Sequence, residues 1–322
     1  MPYISVIIID FNRKKYLREA VESVLKQSLG QELFEIIVIK NYVSEIDDWL
    51  VEHRIKLIFS EESSYGKKIL LGAAVARGEI ISLLDDDDLF VEDKLKFIYE
   101  TFNDKKNIGY CHNFYQKIDQ DGKPYTKNFW FMESRRKINF VTFPSNFRRL
   151  QKSLVRGGDF NHSSISFRKV MLQGVEKYIG RVTGSFDTCA FFLSASKKYQ
   201  LMFTNIPLTK YRIHSSTSSK LGTKEERAMY SLKQLKNYKV ISEIVEEQKD
   251  LNLTKLINSK IYDTKITLGV LRDYDRPKIL SILYQYRINT STFSFYSNVR
   301  LLLGLSFTIL PTPMKKIIKG LV

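Results

Sequence analysis

The sequence predicts an α/β fold, with a mainly parallel sheet flanked by helices in residues 1–220 and a helical, basic region in residues 221–322. Three observations lead to this prediction. Apolar, strand-like runs alternate with amphipathic segments at the start of the chain, and a run of acids directly follows one of them. From about residue 223 onward, apolar residues recur at helical spacing. With 322 residues, the chain is long enough for one large domain and an appendage.

The alternation of elements predicts parallel strands. A continuous β-branched run, typical of a strand buried on both faces, occupies residues 3–11. A second buried strand is predicted at residues 34–40, and further strands at 55–60 and 79–84. Segments with helical periodicity or helix-forming composition lie between them, at residues 12–29, 49–54 and 67–77. Asn12 is placed to cap the first of these helices, and Gly78 to end the last. When a helix connects two such strands, the second strand runs parallel to the first. Repeated connections of this kind place helices on both faces of the sheet.

Composition restricts the compartment and the class of partner. Cys111 and Cys189 are the two cysteines, too few for a disulfide framework or a thiolate zinc site, and the first residues lack the pattern of a signal peptide. We therefore expect a reducing, cytoplasmic setting. The formal charge of +16 favours an anionic partner, such as nucleic acid, a membrane surface or a phosphorylated substrate.

The most informative local feature is the run Asp85–Asp88 in ISLLDDDDLF. Adjacent unpaired carboxylates repel one another by about 1 kcal/mol per close pair near a surface, so the run needs positive partners. One interpretation is an acidic cap for the following helix, but a cap needs one or two acids. The other is a divalent cation that holds a nucleotide diphosphate. Ligands bind beyond the carboxyl ends of such strands, so we favour the metal.

Several further motifs, in order, make the first 220 residues resemble glycosyltransferase family 2. The motifs are SVIIIDFNRKKYLREAVESVLKQS (5–28), SYGKKILLGAAVARGEIISLLDDDD (64–88), NHSSISFRKVML (161–172), GSFDTCAFFLSAS (184–196) and IPLTKYRIHSSTSS (206–219). The resemblance implies a GT-A fold and inverting transfer of a sugar from a nucleotide-sugar donor. It also implies a nucleotide-binding half in residues 1–110 and an acceptor half in residues 111–220.

The resemblance assigns roles to the acidic run. Asp85 and Asp87 match the family's D-x-D motif. The match implies that Asp85, with Asp86 beside it, contacts the donor near its ribose. It further implies that Asp87, helped by Asp88, ligates Mn²⁺ or Mg²⁺ bridging the diphosphate.

The same resemblance assigns the proton acceptor. Asp187 matches the family's general base, which takes the proton of the acceptor hydroxyl as that oxygen attacks the anomeric carbon. On residues alone, an ordinary N-cap of a helix is the favoured interpretation of Asp187. His214 is a candidate for contact with the metal or the phosphates, or an ordinary loop residue. Lys67 and Arg212 are candidate phosphate contacts, or solvated cations.

One departure from the family pattern concerns the nucleobase. Lys40 stands where the family commonly has an aspartate that accepts from uracil, and an ammonium group cannot accept a hydrogen bond. Asn41 or Asp10 can supply an acceptor instead, or the base is not uracil. The sequence therefore leaves the nucleobase open.

Two regions outside these motifs carry further expectations. In residues 113–160, DQDGKPY predicts a hairpin, and the aromatic and basic residues after it predict an acceptor-side flap or ordinary hairpin packing. From Arg276 to Val322 there is no acid, and the basic, apolar end of the chain predicts contact with an anionic membrane. The alternative is a helix that covers the core or a dimer interface.

Together these features predict a metal-dependent glycosyltransferase, peripheral at the inner face of the cell membrane, that acts on a lipid-linked or cell-surface glycan precursor. Two other functions stay open. A nucleic-acid-binding protein would use the basic surface, but no nucleic-acid module signature is present and no nucleic-acid partner is expected. A nucleotidyltransferase would use the same metal, but no glycine-rich triphosphate loop follows the first strand.

Overall fold

The computed structural model describes residues 1–10, 15–125, 139–142, 144–214 and 222–290. The strands of this part are β1 (Ile4–Ile9), β2 (Phe34–Lys40), β3 (Lys56–Phe59), β4 (Ile80–Asp85), β5 (Leu89–Phe90), β6 (Ile108–Ile118), β7 (Asn139–Thr142), β8 (Ile165–Arg168) and β9 (Gln200–Arg212). Its helices are α1 (Leu17–Leu25), α2 (Ile46–Glu52), α3 (Tyr65–Val75), α4 (Lys94–Asp104), α5 (Phe147–Val155), α6 (Glu176–Ile179), α7 (Phe186–Ser196), α8 (Lys224–Glu247), α9 (Leu251–Leu271) and α10 (Arg276–Asn289).

The strands form one mixed sheet with the order β3-β2-β1-β4-β8-β6-β9-β5, and β7 pairs with β9 outside this path. The first four strands of the order are parallel, as the sequence predicts. Strand β8 runs antiparallel to both β4 and β6, and the long pair β6 and β9 is again parallel. The α/β prediction with flanking helices is thus confirmed, and antiparallel strands are inserted in the second half of the sheet.

Strand β1 shows why its apolar run is continuous. On one face, Ile4, Val6 and Ile8 join the core formed with α1, α2 and α4. On the other face, Ile7 lies against α3, where a Cβ built on Gly72 would come within 2.9 Å of the Ile7 Cδ1 atom. Helices therefore cover both faces of the strand, and every residue of β1 is buried.

The carboxyl ends of the central strands meet at one edge of the sheet. Ile9 is paired in register with Asp85, so that Asp10, directly after β1, lies beside the acids that follow β4. Lys40 ends the neighbouring strand β2. This edge collects the polar residues that the sequence places after apolar runs, and it is where parallel sheets bind ligands.

The predicted Asp-Gly turn is present in the part of 113–160 that is described. The Asp119 N–H donates to the Lys123 carbonyl at 2.8 Å, and Gly122 adopts a φ of +81° that favours glycine. The predicted flap falls mostly on residues 126–138, which lie outside the described residues.

The described residues form two compact units. The first comprises those of Met1–Ser145 and Gly158–Ser219, and the second those of Asn146–Gly157 and of the chain from Lys220 onward. The first unit contains the sheet. Residues 146–157, which the sequence places in the first domain, belong to the second unit.

The second unit confirms the helical C-terminal region. Thr223 and Glu226 form a reciprocal capping box at the start of α8, and an aspartate side chain caps each of α9 and α10. Ile279, Leu283 and Tyr286 of α10 pack on α9. Among the helices that the structure describes, none combines the length and the apolar character needed to cross a bilayer. The predicted membrane-contacting segment from residue 291 lies outside the described residues.

Candidate active site

The acidic run closes β4 and the turn that follows it. Asp85, Asp87 and Asp88 each place one carboxylate oxygen within 4.8 Å of the others, so that a single cation can contact all three. Asp86 is fully buried beside them but is not part of this group. The structure therefore brings together three of the four acids at one point.

Asp88 is the most deeply buried of these three acids. Its Oδ1 atom accepts from the Arg212 backbone N–H at 2.9 Å. Its Oδ2 atom is buried and has no hydrogen-bond partner among the described residues. Burial, and then the charges of Asp87 and Asp85, raise the pKa of Asp88 well above its usual range. An oxygen in this position fits a hard divalent cation, which would compensate the cost of burying the charge.

The Arg212 side chain supports the acidic turn by binding its backbone. The side chain is fully buried and stacks over the Tyr16 ring at 4.4 Å. Its Nε atom donates to the Asp87 carbonyl at 2.8 Å, and its other nitrogens donate to the Gln120 carbonyl and to Glu19 at 2.9 and 2.7 Å. The guanidinium nitrogens thus donate their hydrogen bonds to groups of the protein itself. They favour a positioning role over the phosphate contact predicted from the sequence.

His214 lies next to the acids, as the sequence predicts. Its Nε2 atom is 2.8 Å from Asp87 Oδ2, and its ring lies 5.7 Å from that of Tyr16. It stands beside the group of three acids and is not one of its members. The geometry supports a role of His214 in orienting the Asp87 carboxylate. The imidazole also lies close to the place where a ligand of Asp87 would bind.

Two buried lysines lie near the acids. Lys94 is fully buried and donates to the Ser163 carbonyl and, at 3.1 Å, to Thr209 Oγ1. Burial lowers its pKa to about 7, against the opposing effect of Cys111 and Asp88. Lys68 approaches the Asp10 carbonyl at 3.5 Å, and burial also lowers its pKa. Burial therefore disfavours the charged form of both lysines, which weakens the positive charge that they offer to the acidic run.

A second set of contacts lies between Asp85 and Asp187. Tyr65 donates to Asp85 Oδ1 at 2.9 Å, while His162 Nδ1 lies 3.4 Å from Asp85 Oδ2. The Nε2 atom of the same imidazole lies 3.8 Å from Asp187 Oδ1. His162 is a site residue that the sequence does not reveal, because one histidine in a polar segment has no spacing signal of its own. Only the packing of the 161–164 turn against β4 shows its position.

Asp187 lies in the first turn of α7, where its Oδ1 atom accepts from the Thr188 N–H at 2.8 Å. Ser185, at a φ of +53°, occupies the N-cap position of α7, and Asp187 is buried as the second residue of the helix. The alternative of Asp187 as the N-cap is therefore wrong. Asp187 lies close to His162, which also contacts Asp85, and a local role in the helix does not require this proximity.

The end of β2 differs from what the sequence predicts for a base-binding edge. Lys40 is fully buried and points to Asp47 and Ser44, which satisfy its charge. The Tyr42 hydroxyl donates to Asp10 Oδ2. Burial, and then this bond, raise the pKa of Tyr42, so the hydroxyl stays protonated. The Asn41 Oδ1 atom is buried and has no hydrogen-bond partner among the described residues. Of the two predicted acceptors, Asn41 retains the unused oxygen.

Lys67 is the predicted site residue that the structure leaves at the surface. Its side chain is 52% exposed and pairs with Glu62 at 3.1 Å. Its backbone N–H instead serves the helix, donating to the Ser64 cap of α3. A phosphate contact by Lys67 would require exchange of this surface ion pair.

Comparison with known proteins agrees with this geometry. The family model described as "Glycosyl transferase family 2" matches residues 5–171, more than half of the chain. The chain is 27% identical to the uncharacterized glycosyltransferase RT0329 of Rickettsia typhi, over 93% of this chain and 96% of that protein. It is 28% identical to the glycosyltransferase GlyG of Streptococcus pneumoniae, over 66% of this chain and 72% of that protein. Other curated relatives are longer, and the match spans a fifth of their length.

The fold is similar to that of a solved structure. The crystal structure of S. aureus TarS 1–349 in complex with UDP-GlcNAc superposes with a TM-score of 0.53 and 14% sequence identity. The match covers 91% of this chain and 93% of that one. At this identity the likeness concerns the fold.

Proposed function

Because this chain belongs to glycosyltransferase family 2 and has the GT-A fold, we propose that it transfers a sugar, with inversion, from a nucleotide-diphosphate sugar to an acceptor hydroxyl in a metal-dependent reaction. The family match favours this function over a nucleic-acid-binding protein or a nucleotidyltransferase. The donor, the acceptor and the role of each residue are our proposals.

The observation that carries the proposal is the group of Asp85, Asp87 and Asp88 at the carboxyl edge of the sheet. Three convergent carboxylates, one with a buried oxygen that lacks a partner among the described residues, are a donor set suited to Mn²⁺ or Mg²⁺. Asp87 and Asp88 would hold the cation, with His214 orienting Asp87. When bound, the cation supplies positive charge that stabilises a departing nucleotide diphosphate.

The donor would lie along the edge between β4 and β2. Asp85 and Asp86 face the ribose side of this edge in our proposal, and Lys67 reaches a phosphate by leaving Glu62. The free oxygen of Asn41 is the better candidate to accept from the nucleobase, since Asp10 already accepts from Tyr42. Asp10 would then act through Tyr42, holding the β2 edge in place.

Asp187 is the proposed base. A base in an inverting transfer must accept a proton from the acceptor hydroxyl while that oxygen attacks the anomeric carbon. Asp187 lies on the acceptor side, on a different element from the metal-binding acids. It is held within 3.8 Å of the imidazole that contacts Asp85. One carboxylate would thus serve the acceptor while the others serve the donor.

The proposals for the acceptor and for the location of the protein are based on the sequence. The acid-free, basic stretch from Arg276 onward is suited to an anionic membrane surface. We therefore propose a peripheral enzyme at the cytoplasmic face of the cell membrane, acting on a lipid-linked or cell-surface glycan precursor.

Release of nucleotide from defined nucleotide sugars tests the reaction class. UDP-GlcNAc, UDP-glucose, GDP-mannose and dTDP-rhamnose are each incubated with the protein, first stripped with EDTA and then supplied with Mn²⁺ or Mg²⁺. We expect slow, metal-dependent hydrolysis of one donor, with water standing in for the acceptor. Pyrophosphate release from nucleoside triphosphates, with all four sugars left intact, would instead identify a nucleotidyltransferase.

A further inference from the structure

His162 occupies the space between the proposed donor side and the proposed base. Its Nδ1 atom lies 3.4 Å from Asp85 Oδ2, and its Nε2 atom lies 3.8 Å from Asp187 Oδ1. The side chain is 15% exposed, so most of the imidazole is enclosed by protein. The ring therefore spans the distance between two carboxylates that belong to different elements, β4 and α7.

The hydrogen bonds around the ring define its tautomer. The Phe186 backbone N–H donates to His162 Nε2 at 3.2 Å, so Nε2 must carry a lone pair. The proton of the neutral ring then lies on Nδ1, which faces Asp85. The imidazole thus donates to Asp85 and accepts from the first turn of the helix that carries Asp187.

Stacking fixes the plane of the ring. The Tyr65 ring lies parallel to it, with centroids 4.1 Å apart and an interplanar angle of 17°. The Tyr65 hydroxyl also donates to Asp85 Oδ1 at 2.9 Å. Burial, and then the charge of Asp85, raise the pKa of Tyr65, so this hydroxyl remains a donor. Both oxygens of Asp85 are therefore held by a stacked pair of aromatic rings.

The backbone around His162 is held by other groups. Asn161, at a φ of +72°, accepts from the Ser163 N–H through its side chain at 3.0 Å. Ser163 Oγ accepts from the Asp85 N–H at 2.9 Å, and the Ser163 carbonyl accepts from Lys94. The turn that carries His162 does not depend on the imidazole, so the ring can be replaced without loss of the turn.

We propose that His162 is a positioning residue that sets the distance and orientation between Asp85 on the donor side and Asp187 on the acceptor side. The proposal rests on the proposed function, in which Asp187 is the base. In-line attack requires the acceptor oxygen, the anomeric carbon and the leaving group to be aligned, and a displacement of about 1 Å costs roughly 100-fold in rate. A bridge from Asp85 to the Phe186 N–H, at the start of the helix that carries Asp187, provides this alignment.

Substitution of the ring separates positioning from packing. His162→Phe keeps the stacking on Tyr65 and removes both hydrogen bonds, while His162→Asn keeps a donor near the position of Nδ1. We expect kcat for nucleotide release to fall about 10- to 100-fold in His162→Phe, with recovery of part of this loss in His162→Asn. The dissociation constant for the nucleotide should change less than about 2-fold, since the metal-binding acids are intact.

His53→Phe is the matched control. His53 is exposed and its ring lies 4.4 Å from the Trp49 ring, so this variant makes the same replacement beside an aromatic partner in the same unit. It should turn over like the wild type. A His162→Phe variant that is folded and as active as His53→Phe would overturn the proposal, because stacking alone would then be enough.

Nuclear magnetic resonance of the four histidine rings gives a readout that needs no substrate. With ¹⁵N-labelled imidazoles, and His162→Phe to assign the signal, we expect His162 as the Nδ1–H tautomer. An Nε2–H tautomer would contradict the bridge whatever the activity.

Two variants distinguish the base assignment of Asp187 from the positioning role of His162. If Asp187→Asn retains turnover, the base assignment fails and the bridge loses its purpose. If Asp187→Asn is inactive while His162→Phe is fully active, only the positioning role is lost.

Discussion

At the scale of single residues, the acidic turn depends on Arg212. This buried guanidinium connects the Asp87 carbonyl, the Gln120 carbonyl and Glu19, which lie on three separate segments. A lysine at this position would retain the charge but not the planar set of donors. The arrangement makes Arg212 part of the support of the acidic turn after β4.

We predict that Arg212→Lys lowers the free energy of unfolding by about 2–4 kcal/mol, because it leaves buried acceptors without a partner. Urea denaturation measures this loss, with the exposed Arg54→Lys as control. If stability were unchanged and only nucleotide affinity fell, Arg212 would instead be the phosphate contact that the sequence predicts.

Asp187→Asn tests the base directly. Asparagine keeps an Oδ1 atom to accept from the Thr188 N–H, so the local bond at the start of α7 is preserved. We predict that turnover falls about 10²- to 10⁴-fold while nucleotide affinity changes less than about 2-fold.

Asp48→Asn is the control for this prediction, since Asp48 is an exposed aspartate that also lies in the first turn of a helix, α2. Its turnover should equal that of the wild type. Normal turnover in Asp187→Asn itself would show that Asp187 is not the base.

Among single residues, those that directly follow strands were predictable. The acids after β4 and His214 after β9 lie where the order of motifs places them, because strand ends converge on one edge. His162 and Lys94 were not predictable as site residues. Their positions depend on β8 pairing with β4 and on β9 pairing with β6, which joins segments far apart in the sequence.

At the scale of elements, local signals set the helix boundaries. Helix α3 begins at Tyr65, two residues earlier than the predicted start at 67, because Ser64 caps it by accepting from the Lys67 N–H. Helix α2 begins at Ile46 instead of 49. The long strands β6 and β9 were not predicted, since their apolar residues are interrupted by polar ones and their parallel register contains bulges.

Glu35 links three elements at the opposite edge of the sheet from the site. On β2, it accepts from Ser5 of β1 at 2.8 Å and from the Arg77 N–H before β4 at 2.6 Å, and it pairs with Lys56 of β3. Burial alone would raise its pKa, but the hydrogen bonds from Arg77, Lys56 and Ser5 outweigh it and lower the pKa to about 2. Its stabilising effect is therefore present above its usual pKa of 4.5 and is lost as the pH falls toward 2.

We predict that Glu35→Gln lowers the free energy of unfolding at pH 7 by about 1–2 kcal/mol, after allowance for solvent screening, and that the difference from the wild type shrinks as the pH falls below 4.5. Urea denaturation at pH 7 and pH 4 measures both values. The exposed Glu52→Gln should match the wild type at each pH. A loss of stability independent of pH would assign the effect to packing instead of charge.

At the scale of the whole molecule, each of the two units contains a hydrophobic core of its own among the described residues. Helices α9 and α10 pack through Val270, Ile279 and Leu283, so that a truncation inside α10 would damage the second unit. A chain that ends at Thr290 keeps this packing. It removes only the segment that contains Arg300, Lys315, Lys316 and Lys319 and no acid.

We predict that the chain ending at Thr290 no longer sediments with vesicles of phosphatidylglycerol, because the basic, apolar segment is missing, while it binds nucleotide as the full chain does. Phosphatidylcholine vesicles are the control for charge, and should retain much less of the full chain. Unchanged sedimentation of the shortened protein would contradict the membrane role of residues 291–322.

In the proposed function, the acids after β4 bind a cation together with the donor nucleotide. Calorimetric titration of UDP, GDP and dTDP into the EDTA-stripped protein, with and without Mn²⁺, measures this binding. Asp87→Asn is compared with the exposed Asp104→Asn. We predict binding of one nucleotide that requires Mn²⁺ and weakens at least about 10-fold in Asp87→Asn but not in Asp104→Asn. Nucleotide binding that is equally tight without metal, or unaffected by Asp87→Asn, would contradict the account.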